Sequence, residues 1–204
     1  PRVRGHQVGV ESVRDIISYC GQIGLNALTL YAFSTENWKR PKAEIEFLMV
    51  LLERYLQSEV EELRANGVRF RAIGRLMDLP NGVQRLLCSA TEKMADNRGL
   101  NLCVALSYGA QDELVDATRL LCGKVERGTI TPGEIDARMV GEHLFTAGLP
   151  PVDLMIRTAG ERRLSNFLLW QASQALFRVD ERCWPAFRRE HLAAALEAYA
   201  ATKA

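Results

Sequence analysis

Leu28-Thr-Leu-Tyr-Ala-Phe-Ser-Thr-Glu-Asn-Trp-Lys-Arg-Pro41 begins as an apolar run and ends in polar and basic residues. Leu28 to Phe33 is β-rich and nearly uncharged, the pattern of a strand buried on both faces. Ser34 to Lys39 then sets two hydroxyls, a carboxylate, a carboxamide, an indole and an ammonium in succession, and Arg40 follows. Pro41 holds Arg40 in extended geometry and suits the first turn of a helix. Open parallel sheets bind ligands at the carboxyl ends of their strands, so this polar cluster is a candidate site on position alone.

The remainder of the chain fits that frame. Its 204 residues suit one domain, and 48% hydrophobic with 25% charged residues is an ordinary globular composition. A net charge of +1 gives no broad electrostatic footprint for nucleic acid, so no such partner is expected. The basic residues Lys39, Arg40 and Lys42 nevertheless cluster. Cys20, Cys88, Cys103, Cys122 and Cys183 are widely spaced, with no CxxC pair. They read as free thiols in a reducing compartment rather than as disulfides or a zinc site. No apolar run is long enough to span a bilayer, and no secretory or transit signal is visible, so a cytoplasmic protein is expected. The first residue is Pro1 rather than Met, which leads us to expect an upstream segment.

Read outward from the opening strand, helices and strands alternate as in a layered α/β fold. Apolar residues at Val13, Ile16, Ile17, Cys20 and Ile23 predict an amphipathic helix over 10–23. Residues 43–65 give the longest helical pattern, closed by Asn66-Gly67. Between Ile45 and Leu56 it is apolar nearly all round, as expected of a helix that is buried, lines a cavity or meets a partner. Glu59, Glu61 and Glu62 then read as a solvated face. Further strands are predicted at 68–73, 100–106, 152–156 and 176–179. Further helices are predicted at 83–97, 112–127, 131–145 and 190–200, the third opened by the Thr131-Pro-Gly-Glu134 capping pattern.

A second polar cluster, Arg157-Thr-Ala-Gly-Glu-Arg-Arg-Leu-Ser165, also follows a buried strand. Right-handed parallel crossovers bring both strand ends to one edge of a sheet. Arg40, Arg157, Arg162, Arg163, Ser34 and Ser165 are then pooled, with His6 able to join from the first helix. Guanidinium groups and helix N-termini suit phosphate oxygens. Each charge-assisted hydrogen bond contributes roughly 1.5–3 kcal/mol, so three arginines suffice for about micromolar diphosphate binding. The apolar helix beside Arg40 adds a requirement for an apolar ligand body. A diphosphate-bearing isoprenoid meets both demands, whereas a nucleotide uses only the polar part. Neither a P-loop nor a Gly-x-Gly-x-x-Gly run is present.

Tyr31-Ala-Phe-Ser-Thr-Glu-Asn-Trp-Lys-Arg-Pro41 closely resembles the signature of the cis-prenyltransferases, the undecaprenyl diphosphate synthase family. So does Arg157-Thr-Ala-Gly-Glu-Arg-Arg-Leu-Ser-Asn-Phe-Leu-Leu-Trp-Gln171. Arg2-Val-Arg-Gly-His-Gln-Val-Gly9 and Trp184-Pro185 resemble further family motifs, in the family's order. The resemblance implies a central, mostly parallel sheet with helices on both faces and an apolar tunnel at the carboxyl ends of the strands. It implies sequential condensation of isopentenyl diphosphate onto an allylic diphosphate such as farnesyl diphosphate, with Mg²⁺ as cofactor. By resemblance, Arg2 and His6 lie near the allylic diphosphate. Ser34, Thr35, Glu36, Asn37, Trp38 and Arg40 form the loop that positions both substrates, with Asn37 the proposed proton acceptor. Arg157, Arg163, Leu164 and Ser165 belong to the isopentenyl diphosphate site. The helix from Ile45 to Leu56 lines the tunnel. A homodimer and peripheral contact with membrane through the lipid product are also implied.

The resemblance breaks at four places. The family's opening strand and its metal-holding Asp-Gly-Asn loop are expected upstream of Pro1. The usual metal-site glutamate after the Trp-Gln segment is Leu176, which cannot ligate Mg²⁺. The usual Asn-Tyr-Gly-Gly-Arg is Ser107-Tyr-Gly-Ala-Gln111. The family's C-terminal Arg-x-Gly does not occur in Ala201-Thr-Lys-Ala204. These departures leave a second expectation open: a family member that binds isoprenoid diphosphates without turning them over, or that needs a partner subunit.

Overall fold

β3 (Asn101–Tyr108) is the strand on which the layers meet. Successive strand side chains point to opposite faces. Leu102 and Leu106 accordingly enter one apolar cluster, while Cys103 and Ala105 enter another. The first cluster packs α1 (Arg2–Gln22), α2 (Lys42–Ala65), α3 (Asn81–Lys93) and α6 (Arg189–Ala201) through Ile16, Met49, Leu56, Val83, Leu87 and Leu192. The second joins Tyr108 and Ala110 to Met155 and Leu168 beneath α4 (Ala110–Glu126). Helices thus cover both faces, as expected. The computed structural model describes the backbone of residues 2–203 and the side chains of residues 8–203.

Every strand pairing is parallel, in two hydrogen-bonded sets rather than one continuous sheet. β1 (Ala27–Ser34) and β2 (Arg69–Ile73) flank β3, and β4 (Leu154–Arg157) pairs with β5 (Leu176–Val179). Leu30 and Ile156 contact the first cluster while Tyr31 and Met155 contact the second, so β1 and β4 lie in the same layer.

Three expectations change. β1 is not buried on both faces: only Phe33 is, because the strand borders a cavity. The helix expected over 131–145 divides into a 3-10 turn, Pro132–Glu134, and α5 (Ala137–Glu142), with Asp136 capping the second piece by accepting from Met139 N–H. Glu59 is not solvated. It is buried in α2 and accepts two hydrogen bonds from the Arg14 guanidinium of α1. The first helix also starts earlier than predicted, at Arg2.

Candidate active site

The carboxyl end of β1 is irregular where the site begins. Tyr31 pairs with Ala105 and Phe33 with Leu106, leaving Ala32 as an extra residue; Ser34 then pairs with Tyr108, leaving Ser107 extra in β3. Such bulges re-aim the chain at the end of a strand. Ser107 is fully buried at φ 45°, a left-handed conformation that non-glycine residues rarely adopt. Its hydroxyl accepts from the Trp38 indole N–H at 2.9 Å and donates to Asp78 Oδ2 at 3.2 Å. Its carbonyl accepts from Arg75 N–H. Gly74 is required where β2 ends, since a Cβ there would run into the Leu106 carbonyl.

Thr35–Lys39 forms a 3-10 helix closed by its own side chains. Ser34 N–H donates to Asn37 Oδ1 at 3.0 Å, and Arg40 N–H to the Asn37 carbonyl. Asn37 is therefore a local cap, with its carboxamide oxygen already engaged. Trp38 packs edge-on against Phe33. Thr35 Oγ1 donates to Asp112 Oδ2, and Asp112 with Asp116 holds the Arg75 guanidinium. Arg40, which precedes α2, pairs with Glu44 of its first turn at 2.8 Å.

The second polar loop meets the first through aromatic rings and Asn166. Tyr31 stacks on Phe167 at 4.3 Å, and Tyr31 Oη donates to the Tyr108 carbonyl. Burial, followed by the nearby Glu36 charge, pushes the Tyr31 hydroxyl up to about 12. Asn166 Nδ2 donates to Glu36 Oε1 at 3.1 Å, while its Oδ1 accepts from Gln111 N–H at 2.8 Å. Burial opposes ionisation of Glu36, but hydrogen bonds from Asn166, the backbone and Ser34 outweigh it and hold the carboxyl below its ordinary range. The loop after β4 thus touches the ends of β1 and β3, so three strand ends converge on one edge as the sequence predicts.

From that edge a cavity of about 1650 Å³ runs along β1. Consecutive residues 25–33 line it, so β1 borders it with an edge rather than a face, and 152–157 of the β4 segment line the other side. Eight strand residues span about 26 Å, the length over which β1 borders it. α1 contributes Val13 and Ile16, and α2 contributes Leu48, Leu51, Leu52 and Tyr55. The cavity thus lies between the facing edges of β1 and β4, neither of which pairs with a further strand on that side among the described residues. The all-round apolar pattern of α2 has its explanation here, since one side packs in the core and another faces the cavity.

Of the predicted site residues, Arg40, Arg157 and Leu164 line this cavity. Arg157 Nε is buried without a hydrogen-bond partner, a donor poised for an anion. Ser34, Asn37 and Trp38 are not in its wall, and Thr35 and Glu36 border a separate, smaller pocket with Asn166. Arg163 is not in the wall either: it is exposed and paired with Glu161 at 3.2 Å. Ser165, at φ 51°, belongs to the same loop. The side chains of Arg2 and His6 lie outside the described residues. Leu176 pairs with Leu154 at the start of β5, away from the cavity wall. Sequence reasoning missed Ser107 and Asn166. Two signals for Asn166 were present, an asparagine inside the second motif and a glycine, Gly109, where α4 needs a cap.

The donor set does not suit Mg²⁺ by itself. No group of three His, Cys, Asp or Glu that could hold a metal occurs among the described residues. Carboxylates near the rim are engaged, Glu161 by Arg163 and Asp112 by Thr35 and Arg75. No helix among the described residues is long and apolar enough to cross a membrane.

Comparison with known proteins agrees with this architecture. The family model described as "Putative undecaprenyl diphosphate synthase" matches residues 1–204. An isoprenyl transferase of Clostridium tetani is 44% identical over 199 residues, 98% of this chain and 78% of that protein. One from Heliobacterium mobile is 45% identical over 199 residues, covering 98% and 76%. The crystal structure of lavandulyl diphosphate synthase from Lavandula x intermedia, in complex with dimethylallyl diphosphate, superposes with a TM-score of 0.94 at 37% identity, covering 98% of this chain and 86% of that one. A probable undecaprenyl diphosphate synthase from Campylobacter jejuni gives 0.82 at 34%, covering 95% and 89%. With the family model matched over residues 1–204 and relatives 44–45% identical over 98% of the chain, this chain belongs to the undecaprenyl diphosphate synthase family of prenyltransferases.

Proposed function

We propose that the chain catalyses sequential cis-condensation of isopentenyl diphosphate onto an allylic diphosphate such as farnesyl diphosphate, giving a polyprenyl diphosphate. The observation that carries the proposal is one cavity bordered by Arg40, by Arg157 with its unpartnered Nε, and by apolar residues of α1 and α2. Its support from relatives is the isoprenyl transferase name of the bacterial proteins and the dimethylallyl diphosphate bound to the lavandulyl enzyme.

In this reading Arg157 donates its unpartnered Nε–H to a diphosphate oxygen, with Arg163 and Ser165 swinging onto the same group. Arg40 releases Glu44 to neutralise charge as the allylic carbon–oxygen bond breaks. The terminal carbon of the isopentenyl double bond attacks that carbon, leaving positive charge on the internal isopentenyl carbon, and a proton then leaves the isopentenyl carbon next to that charge to set the cis double bond. Asn37 is a weak base with its oxygen held by Ser34 N–H, so it orients a diphosphate oxygen or a water that takes the proton. The chain then moves down the trough beside Leu48, Leu52 and Tyr55. Mg²⁺ is expected to enter with the substrate diphosphates, and no step is assigned to a protein-bound ion. A homodimer, peripheral membrane contact and a cytoplasmic location belong to the same proposal; five free thiols support a reducing compartment.

A second reading, binding without turnover, is favoured by Leu176, which stands where the family's usual metal-site glutamate is expected. Incubating full-length protein with farnesyl diphosphate, labelled isopentenyl diphosphate and Mg²⁺ separates the two. Labelled products extended by five-carbon units are expected. Binding of both diphosphates with no extension replaces the first reading by the second.

A further inference from the structure

We propose that Asn166 is a positioning residue that fixes the Glu36-bearing turn against the Arg157–Ser165 loop, so that the two halves of the diphosphate site move as one. The inference rests on the prenyl-transfer reading only for its kinetic readout.

The argument starts at α4. Its N-cap is Gly109, which has no side chain to offer the first orphan N–H groups. A larger residue would have to displace the tips of these side chains: a Cβ would lie 2.7 Å from Thr35 Oγ1 and Asp112 Oδ2, and 2.8 Å from Asn166 Nδ2. Asn166 supplies the cap from 55 residues away. Its backbone carbonyl accepts from Ala110 N–H at 2.8 Å, and its Oδ1 accepts from Gln111 N–H at 2.8 Å. That use of Oδ1 fixes which way the carboxamide faces and leaves Nδ2 directed at the Glu36 carboxylate, 3.1 Å away. The backbone is held under strain to achieve this. Ser165, Asn166 and Leu168 stand at φ 51°, 57° and 46°, each costing on the order of 1 kcal/mol or more. Asparagine tolerates that region better than most residues. One side chain therefore caps α4 with one end and grips the first motif with the other.

These two tasks separate in Asn166→Asp. Aspartate keeps the oxygen that caps α4, and its charge suits a helix N-terminus. It replaces the donor facing Glu36 by an acceptor, setting two carboxylates against each other. The full chain is assayed for thermal midpoint, for KM of isopentenyl diphosphate and kcat with farnesyl diphosphate, and for binding of inorganic diphosphate by calorimetry. We expect an unchanged or raised thermal midpoint, KM raised at least tenfold, kcat within about threefold, and weakened diphosphate binding. Read as a cycle against Glu36→Gln alone, the pair Glu36→Gln with Asn166→Asp restores an N–H-to-carboxylate bond and should weaken diphosphate binding less than the two single variants combined. If Asn166→Asp leaves both values unchanged, or the two single effects simply add in the pair, Asn166 only caps α4 and the proposal is overturned. If the parent protein makes no product, the proposed function fails, while the diphosphate calorimetry still decides the role of Asn166.

Discussion

The Trp38 indole N–H donates to Ser107 Oγ at 2.9 Å, and Ser107 holds φ 45° with no exposed surface. The first motif is thus anchored to an extra residue of β3 rather than left as a free loop. Ser107→Ala should destabilise the protein by about 1–3 kcal/mol, because a buried donor and a carboxylate lose their shared partner. Ser107→Gly loses the same bonds but relieves the left-handed strain, so it should be more stable than the alanine variant by about 1 kcal/mol. Denaturant melts of the two variants check the order; alanine more stable than glycine would mean that the backbone at Ser107 is unstrained.

Arg157 ends β4 with a buried Nε that has no partner. Arg157→Met fills the same space without a charge. Affinity for inorganic diphosphate should fall at least about tenfold, since a charge-assisted bond contributes roughly 1.5–3 kcal/mol. Stability should hold or rise by up to about 1 kcal/mol, because an unpaired buried donor is removed. Arg157→Lys keeps the charge but not the fork and should fall between the two. Calorimetry with a parallel thermal melt reads both quantities, and a loss of stability in the methionine variant would recast Arg157 as a structural group.

The alternation of apolar runs with capped helical patterns made the layered α/β fold legible, because period and punctuation are local properties. That Arg40 and Arg157 border one cavity was in keeping with parallel strands sharing a carboxyl edge. What stayed hidden depended on distant partners. Glu59 reads as one more charge in an acidic run until Arg14 of another helix meets it. Ser107 and Asn166 are ordinary residues in sequence, and their roles arise from positive φ and from neighbours 69 and 55 positions away. The semi-exposed character of β1 follows from a cavity that no periodicity announces.

Glu59 supplies a pH test of the α1–α2 joint. The Arg14 hydrogen bond holds its carboxyl below the ordinary value of 4.5, with burial opposing. A depressed folded value means stabilisation that is complete above the unfolded value and is lost as pH falls through the folded one. Glu59→Gln should cost about 1–3 kcal/mol at pH 7. The gap between parent and variant in urea midpoint should stay constant down to about pH 5 and narrow below 4.5. A gap that is independent of pH would show that the pair contributes through packing and not through charge.

In the proposed reaction, the cavity wall along α2 is expected to limit product length. Leu48 and Leu52 are one turn apart and both line the cavity, as does Tyr55, whereas Val50 on the same helix is exposed and does not. Leu52→Trp fills part of the trough from its wall, while Val50→Trp adds the same bulk outside it. With farnesyl diphosphate and labelled isopentenyl diphosphate, the first variant should shift the product ladder shorter by at least one five-carbon unit, and the second should leave it unchanged. Leu52 contacts the core as well, so overpacking is expected to cost about 1–3 kcal/mol. A thermal melt must show the variant folded at the assay temperature before the ladder is compared. Identical ladders from two folded variants would place the growing chain somewhere other than along β1 and α2.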